Sequence, residues 1–574
     1  MNRSLLVRLL LLLVPVLASG LFLRVYYTPD EPREASLVVA MAAQQNHAMP
    51  ELGGVTFAEK PPLLYWLGGA VVASVGPSPA ASRVPNLLYG LVTAIALALI
   101  ARRAAGVTAA VVTGVVAVTA LQLYDVLIWL ATDAPLVAGV ALSLAGMYAA
   151  LTTESSSGRR RGYLMLAAGL GVAFFAKGPA AWMVPGFAYL TVIVLERRWR
   201  ELLRPQLWLV VPVLALLIGA WVLAVLGRPD GLESLRVLFW YNLVGRAVAV
   251  DAPAQFAYAS GHLNSPGKYL LELPLYLLPW TALAIAALMR SVKHLREPGA
   301  TGTAWRLAVG AIVPSTVLLS CAATARGVYY APPMLGFALM TGLEFGQAAR
   351  LGEAAGGLAF ALTRILTALL ALVVGGLAVL LSFAPAVRDT GHVLLGLTAL
   401  LACLYAVHRA LRARGTRERA LRDLMLSVCV TLVFAATPLW LNLNPLVSLE
   451  RSAGEIKRAA AGHPLVLLSP DETTIAMAEL YLGHLPVVTT LSSAAVGPGD
   501  PEVRYLWLVP DRYRWKASQW LAALGYSSRA GSMTSPPILL PPELSASVAE
   551  TVIERPGGRR YALLVRAPAT VRSP

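Results

Sequence analysis

Apolar runs of about 18 residues or more recur along the chain, and a helix of that length is what a ~30 Å hydrocarbon core requires. Short Arg-rich breaks separate them: Arg102-Arg103, Arg159-Arg160-Arg161, Arg197-Arg198-Trp199-Arg200, Arg290 with Lys293 and Arg296, and Arg412 through Arg422. Loops held on the cytoplasmic side carry an excess of Lys and Arg, so these breaks mark one face. Each falls an even number of crossings after the N-terminus when about thirteen helices are drawn and the segment Leu63 to Val75 lies along the outer surface. The first run, Leu5 to Leu23, fits either a signal peptide or a first span, and its length of ~20 residues favours a retained helix. The run after Arg161 meets Lys177-Gly178-Pro179 early, which predicts two shortened helices meeting there. Broken helices at depth are tolerated only beside a cavity or protein interior.

This path predicts an all-α polytopic membrane domain over residues 1–442, with outer loops 26–82 and 227–268. The tail, 443–574, changes character. Short runs at Pro464 to Leu468, Pro486 to Val488, Tyr505 to Val509 and Tyr561 to Val565 read as strands, with helices over Thr473 to Tyr481 and Trp515 to Leu524 between them. A small C-terminal α/β extracytoplasmic domain is the expectation.

Composition agrees with a membrane chain: of 574 residues 57% are hydrophobic and 14% charged, with a mean hydropathy of +0.65. The net charge of +16 could suggest nucleic acid, but the Arg clusters sit between apolar runs, where topology accounts for them. Cys321, Cys403 and Cys429 each lie inside an apolar run, which argues for packing rather than disulfides or a metal knuckle.

Candidate chemistry gathers on the outer side. The first loop holds Asp30, Glu31, Arg33 and Glu34, then Glu59-Lys60-Pro61-Pro62 and Tyr65-Trp66. Charges so close to lipid are costly unless used or solvated. Glu31, Glu34 and Glu51 are expected to be solvated surface acids. Asp30 follows a membrane helix directly, and Lys60 precedes two prolines that restrict its backbone, so both read as functional. An oriented ammonium at headgroup depth suits a lipid phosphate. Asp133 lies between two spans that are otherwise uncharged apart from Asp125, which makes it a site candidate. An N-cap for the following helix is its plainer role.

The segments Thr28-Pro29-Asp30-Glu31-Pro32-Arg33, Phe57-Ala58-Glu59-Lys60-Pro61-Pro62-Leu63-Leu64-Tyr65-Trp66, Ala81-Ser82-Arg83-Val84-Pro85, Ala131-Thr132-Asp133-Ala134-Pro135 and Ala176-Lys177-Gly178-Pro179 together resemble the lipid A aminoarabinose transferases. Those belong, with the protein O-mannosyltransferases, to the C-type glycosyltransferase superfamily. The resemblance implies a C-type glycosyltransferase fold of about thirteen spans, with Asp30 and Asp133 as the essential acids and Lys60 as a donor-phosphate contact. It also implies that Arg246 shares that phosphate, that Glu59 and His262 hold a divalent metal (Zn, or Mg/Mn), and that Tyr329 and Tyr330 open a tyrosine-rich helix. Glu31, Arg33, Tyr329 and Tyr330 are further candidate substrate contacts. The chain departs from the family pattern DE-x-RYAE, having Glu34 in place of the tyrosine and Ser36 in place of the last acid; Phe57 stands where a tyrosine is common.

The implied function is transfer of a sugar from a polyprenyl-phosphate donor to lipid A or a related envelope glycolipid at the periplasmic face of a bacterial inner membrane. Its partners would be the donor, the acceptor and membrane lipids, with no nucleic acid. The alternative keeps the reaction and takes a protein or polysaccharide acceptor. A transporter of lipid or solute is the competing class, disfavoured because the charges gather in outer loops and no repeated half is visible.

Overall fold

The computed structural model describes the chain apart from residues 1–2, 245–266, 323–325, 351–352, 386–388, 485, 490–501, 512–537, 539, 542–543, 545–546, 557 and 567–574. Eight of the described helices are long and apolar enough to cross a membrane, or nine when the bent pair Val107–Thr119 and Leu121–Ile128 counts as one span. Further helices, Ser156–Lys177, Met183–Leu195, Thr281–His294 and Ala331–Arg350, pack among them. The outward faces are apolar: on Val210–Leu226, Leu216 and Leu223 are each at least 70% exposed, which suits lipid and not water.

We label the first eight α-helices α1 (Arg3–Phe22), α2 (Asp30–Ala43), α3 (Leu63–Val75), α4 (Pro79–Ala105), α5 (Val107–Thr119), α6 (Leu121–Ile128), α7 (Asp133–Thr152) and α8 (Ser156–Lys177). The segment read as a charged outer loop is therefore folded. It forms a helical pair, α2 against α3, joined through a two-stranded hairpin, Glu51–Leu52 with Val55–Thr56. Its core, with Leu37, Val38, Leu64 and Tyr65 fully buried, also takes in Ala476 from the tail.

The hairpin of α7 and α8 is drawn together by small residues. A Cβ at Gly139 or Gly146 would lie 2.6 Å from the backbone nitrogen of Ala173 or 2.4 Å from that of Leu166, and Gly162 and Gly169 make the reciprocal approach to Ala150 and Ser143 at 2.5 Å. Backbones this close leave one register, the small-residue packing expected between helices in lipid. One step further along, that register sets the start of α7 opposite the end of α8. The break predicted at Lys177-Gly178-Pro179 is present: α8 ends at Lys177, Gly178 has φ 71°, and a 3₁₀ turn, Pro179–Trp182, leads into Met183–Leu195.

The basic clusters collect at the opposite end of the bundle from Asp133. There Arg198 donates to Leu151 O, Thr301 to Ala104 O, and Arg306 to Glu196.

After the helix Ala436–Val447 the chain enters helix Leu449–Ala460 and a five-stranded sheet. Its strand order is 487–489, 465–468, 504–508, 559–566, 547–555; the first three are parallel and the last two join antiparallel. Strand Ser547–Arg555 lies outside the expected set, because its burial inverts the usual pattern: Ser547 and Arg555 are buried while Val548 and Val552 are exposed. The helix expected over Trp515 to Leu524 lies outside the described residues.

Candidate active site

Each of the two candidate acids is the first residue of its helix, where the positive end of the helix dipole favours a carboxylate. Asp133 is not the N-cap that its spacing suggested. Thr132 occupies that position without a side-chain cap, and the Asp133 carboxylate instead accepts from Lys177 Nζ at 2.5 Å, both groups being largely buried. The glycine register of α7 and α8 makes that meeting possible. Lys177 Nζ also lies 4.9 Å from the ring centre of Tyr329, a cation–π arrangement.

Asp30 is one-third exposed and sits between two guanidinium groups, Arg33 at 3.5 Å and Arg326 at 3.7 Å. Arg326 immediately precedes the 3₁₀ turn Gly327–Tyr330. One short segment thus reaches Asp30 through Arg326 and the Lys177–Asp133 pair through Tyr329, bringing the two acids to one region. Tyr330, expected as a substrate contact, turns inward instead: it is fully buried, hydrogen-bonded to Thr316 at 2.6 Å and stacked on Tyr269.

Glu31 and Glu34 overturn the expectation of solvated acids, since both are fully buried. Glu31 accepts from Arg83 Nε and Nη2 at 3.1 and 2.8 Å, and from the backbone N–H groups of Leu130 and Tyr27, with Arg24 at 3.5 Å. Arg83 donates in turn to the carbonyls of Leu21, Arg24 and Val25. Arg24 is boxed by the rings of Tyr27, Trp129 and Trp440 at 4.4–5.1 Å. With its oxygens so engaged, Glu31 is a tie between the end of α1, α2 and α4 rather than a substrate contact. Glu51, half-buried, pairs with Arg228 at 3.1 Å.

Glu34 is the hub of the second cluster. It accepts from Lys60 Nζ at 2.7 Å, Arg33 Nη2 at 2.8 Å and Tyr65 Oη at 2.8 Å. Burial pushes this carboxyl up, but Lys60 and Arg33 outweigh it and hold it down at about 2. A carboxyl depressed on folding contributes stability that is complete above its unfolded value near 4.5 and fades as pH falls toward about 2. The stability gap between the wild type and Glu34→Gln in detergent should therefore be flat from about pH 8 to 5 and narrow below that. A gap that widened on acidification would mean that Glu34 is not held as the carboxylate.

Lys60 therefore lies beside Glu34, with its side chain mostly buried. Arg33 divides itself between Glu34, Asp30 and Glu472 at 2.8 Å. Glu472 opens a tail helix, Glu472–Met477, continued by the π-helical turn Ala478–Leu482, and together they dock on α2 and the hairpin: Thr473 donates to Pro29 O, Ser36 to Glu479, and Gly53 N–H to Glu479 at 2.9 Å. Arg246 and His262 lie outside the described residues. Glu59 is half-buried, and no group of three His, Cys, Asp or Glu suited to a metal ion occurs among the described residues. An open groove of about 640 Å³ borders this region, walled by Trp66, Phe175, Leu217 and Trp221 and rimmed by Asn46 and His47.

The family model described as dolichyl-phosphate-mannose-protein mannosyltransferase matches residues 59–224. The crystal structure of ArnT from Cupriavidus metallidurans bound to undecaprenyl phosphate superposes with a TM-score of 0.69 over 100% of both chains, at 18% identity. This chain has the fold of ArnT. The apo ArnT structure agrees, with a TM-score of 0.68 over 97% of both chains. In sequence, an undecaprenyl phosphate-alpha-4-amino-4-deoxy-L-arabinose arabinosyl transferase of Pseudomonas aeruginosa strain LESB58 is 27% identical over 59% of this chain and 58% of its own length. A second such transferase, from Pseudomonas fluorescens strain Pf0-1, is 28% identical over 64% of this chain and 62% of its own. The chain thus spans about three-fifths of the length of these curated relatives. The likeness to ArnT read from the motifs is matched in sequence and in three dimensions.

Lys177, Arg83, Glu34 and Glu472 are the participants to which the motifs assigned no role. For Arg83 a signal existed: a lone guanidinium entering an apolar run must find a buried carboxylate. For Glu472, 439 residues from Arg33, no local pattern could have announced the pairing.

Proposed function

We propose that the chain is a glycosyltransferase taking a sugar from a polyprenyl-phosphate donor of the undecaprenyl type to an envelope acceptor, lipid A or a related glycolipid. The observation that carries this reading is the gathering of Asp30 and Asp133, each at a helix N-terminus and each held by cations, around the Arg326–Tyr329 segment at one end of an apolar bundle. The ArnT fold and the relatives' named donor support the same class. On the positive-inside rule the basic end faces the cytoplasm and the site faces the periplasm.

In this reaction the acceptor oxygen attacks the anomeric carbon while the bond from that carbon to the donor phosphate breaks, and the phosphate leaves with the electron pair. Direct attack on the carrier linkage inverts the anomeric centre. Asp30 orients a hydroxyl acceptor and takes its proton; with a phosphate acceptor no proton needs to move, and Asp30 acts electrostatically. Lys60 and Arg246 hold the donor phosphate, and the aromatic groove, of about 640 Å³, offers apolar walls to part of an isoprenoid chain. A divalent ion on Glu59 and His262 belongs to the same proposal, and no step above depends on it.

Mass spectra of envelope glycolipids and glycoproteins with and without the gene test the reading. Loss of a sugar substituent from lipid A supports it; unchanged spectra at confirmed expression overturn it. Lys60→Ala should weaken donor use roughly tenfold to a hundredfold, because a charge-assisted hydrogen bond contributes about 1.5–3 kcal/mol. Transfer measured against donor concentration in nanodiscs checks this, and an unchanged donor dependence moves the phosphate away from Lys60.

A further inference from the structure

Helices Thr390–Leu411 and Arg417–Val430 are joined, at the basic end of the bundle, by a turn within a stretch of six arginines between residues 409 and 422. The turn is fixed to the segment that precedes helix Leu358–Ser382. Ala355 N–H donates to Gly415 O and Arg417 N–H to Glu353 O, each at 2.8 Å, and the Arg417 guanidinium meets the Glu353 carboxylate at 2.8 Å. Arg364 adds a hydrogen bond to Ala413 O at 3.4 Å. Gly415, at φ 89°, permits the reversal. Ala413 is fully buried, so the residues on either side of it, Arg412 and Arg414, are turned outward. Both are exposed, as is Arg419.

The acids nearby are few and mostly committed. Glu353 is held by Arg417, and the buried Asp423 has Arg409 at 3.3 Å and Arg422 at 3.8 Å. Glu418 is exposed, and residues 345–357 contain no acid besides Glu353. Six arginines thus face three carboxylates. Among the described residues no side chain pairs with Arg412, Arg414 or Arg419. An apolar stripe leads to these cations: Leu397, Leu401, Leu404 and Leu411 recur at helical spacing on one face of Thr390–Leu411 and are all exposed, and His408 and Arg412 complete the line. A soluble anion would use the arginines alone. A diacyl lipid uses both features, its chains along the leucines and its phosphate at the turn. A zwitterionic headgroup gains less there, because its own ammonium meets the same cations.

We propose that the turn 412–419 is a binding site for an anionic phospholipid, whose headgroup phosphate is held by the guanidinium groups of Arg412, Arg414 and Arg419. The site lies at the opposite end of the bundle from Asp133 and stands independently of the sugar-transfer reading. The test uses the full chain in neutral detergent, supplied with dioleoyl-phosphatidylglycerol or dioleoyl-phosphatidylcholine. By native mass spectrometry the wild type should retain phosphatidylglycerol in preference. The triple variant Arg412→Gln, Arg414→Gln, Arg419→Gln should reduce that preference at least about tenfold, since each basic residue near an anionic surface contributes roughly a fivefold factor. Phosphatidylglycerol should also raise the unfolding temperature of the wild type and not that of the triple variant. Lysines at the same three positions should keep most of both effects, which separates loss of charge from loss of folding. Removing three exposed arginines elsewhere at this end, with Arg103→Gln, Arg160→Gln and Arg161→Gln, should leave the preference intact; an equal loss there would reduce the site to general basicity and overturn the proposal. An undiminished preference in the first triple variant overturns it too, as does an equal unfolding shift from inorganic phosphate, which would mark a soluble anion instead of a lipid.

Discussion

Asp133→Asn should leave a folded, membrane-inserted chain whose sugar transfer has fallen by about 10²–10⁴-fold, the range expected for removing a positioned acid or base or an electrostatic stabiliser. The fold survives because the position of Asp133 is set by the backbone approach of α7 and α8 at Gly139, Gly146, Gly162 and Gly169, which an isosteric amide does not disturb. The charge is what disappears, and the Lys177 ammonium at 2.5 Å loses its counterion. Asp30→Asn should act similarly, freeing Arg33 and Arg326 from the same carboxylate. Turnover at matched expression, alongside thermal unfolding in detergent, checks both. Near-normal turnover in either variant removes that acid from the mechanism. If Asp133→Asn combined with Lys177→Met regained wild-type turnover, the pair would be structural only.

Arg83→Met with Glu31 left in place should destabilise the protein by about 3–5 kcal/mol, because a fully buried carboxylate loses its principal partner and keeps only Arg24 at 3.5 Å and two backbone N–H groups. Both side chains are at 0% exposure, and the guanidinium supplies two hydrogen bonds to Glu31. Three backbone carbonyls at the end of α1 lose their donor as well. The double variant Arg83→Met with Glu31→Gln should be less unstable than the two single losses added together, since the Arg83–Glu31 pair is then removed whole, while Arg24 keeps its ring contacts and loses only its more distant counterion. Unfolding in detergent measures both quantities. A loss under about 1 kcal/mol for Arg83→Met would mean that the knot is not what holds α1, α2 and α4 together.

The two acid groups also show why site and scaffold could not be separated from the motif alone. Asp30 and Glu31 are neighbours in sequence and share the first turn of α2, but the helix turns them to opposite surroundings, one toward Arg326, the other into the Arg83 knot. Glu34, which departs from the family pattern, became the common partner of Lys60, Arg33 and Tyr65. Two acids of the tail, Glu472 and Glu479, then hold Arg33 and Ser36, so the small C-terminal domain supports the helix that carries the candidate acid.

Apolar length, Arg placement and turn chemistry act over a few residues to a few tens, and these were legible in the chain. They determined a membrane-embedded helical fold with a small mixed tail, the break at Lys177-Gly178-Pro179, and the nomination of Asp30, Lys60 and Asp133. Charge pairing is decided over far longer separations, 52 residues from Glu31 to Arg83 and 439 from Arg33 to Glu472, and periodicity carries no record of it. Only the tertiary structure could bury Glu31 and Glu34 and turn Tyr330 inward while leaving Tyr329 at Lys177. The physical reason is that a buried charge is tolerable only where a distant segment delivers its partner, and that delivery depends on how helices pack, down to the glycine register that sets Lys177 against Asp133.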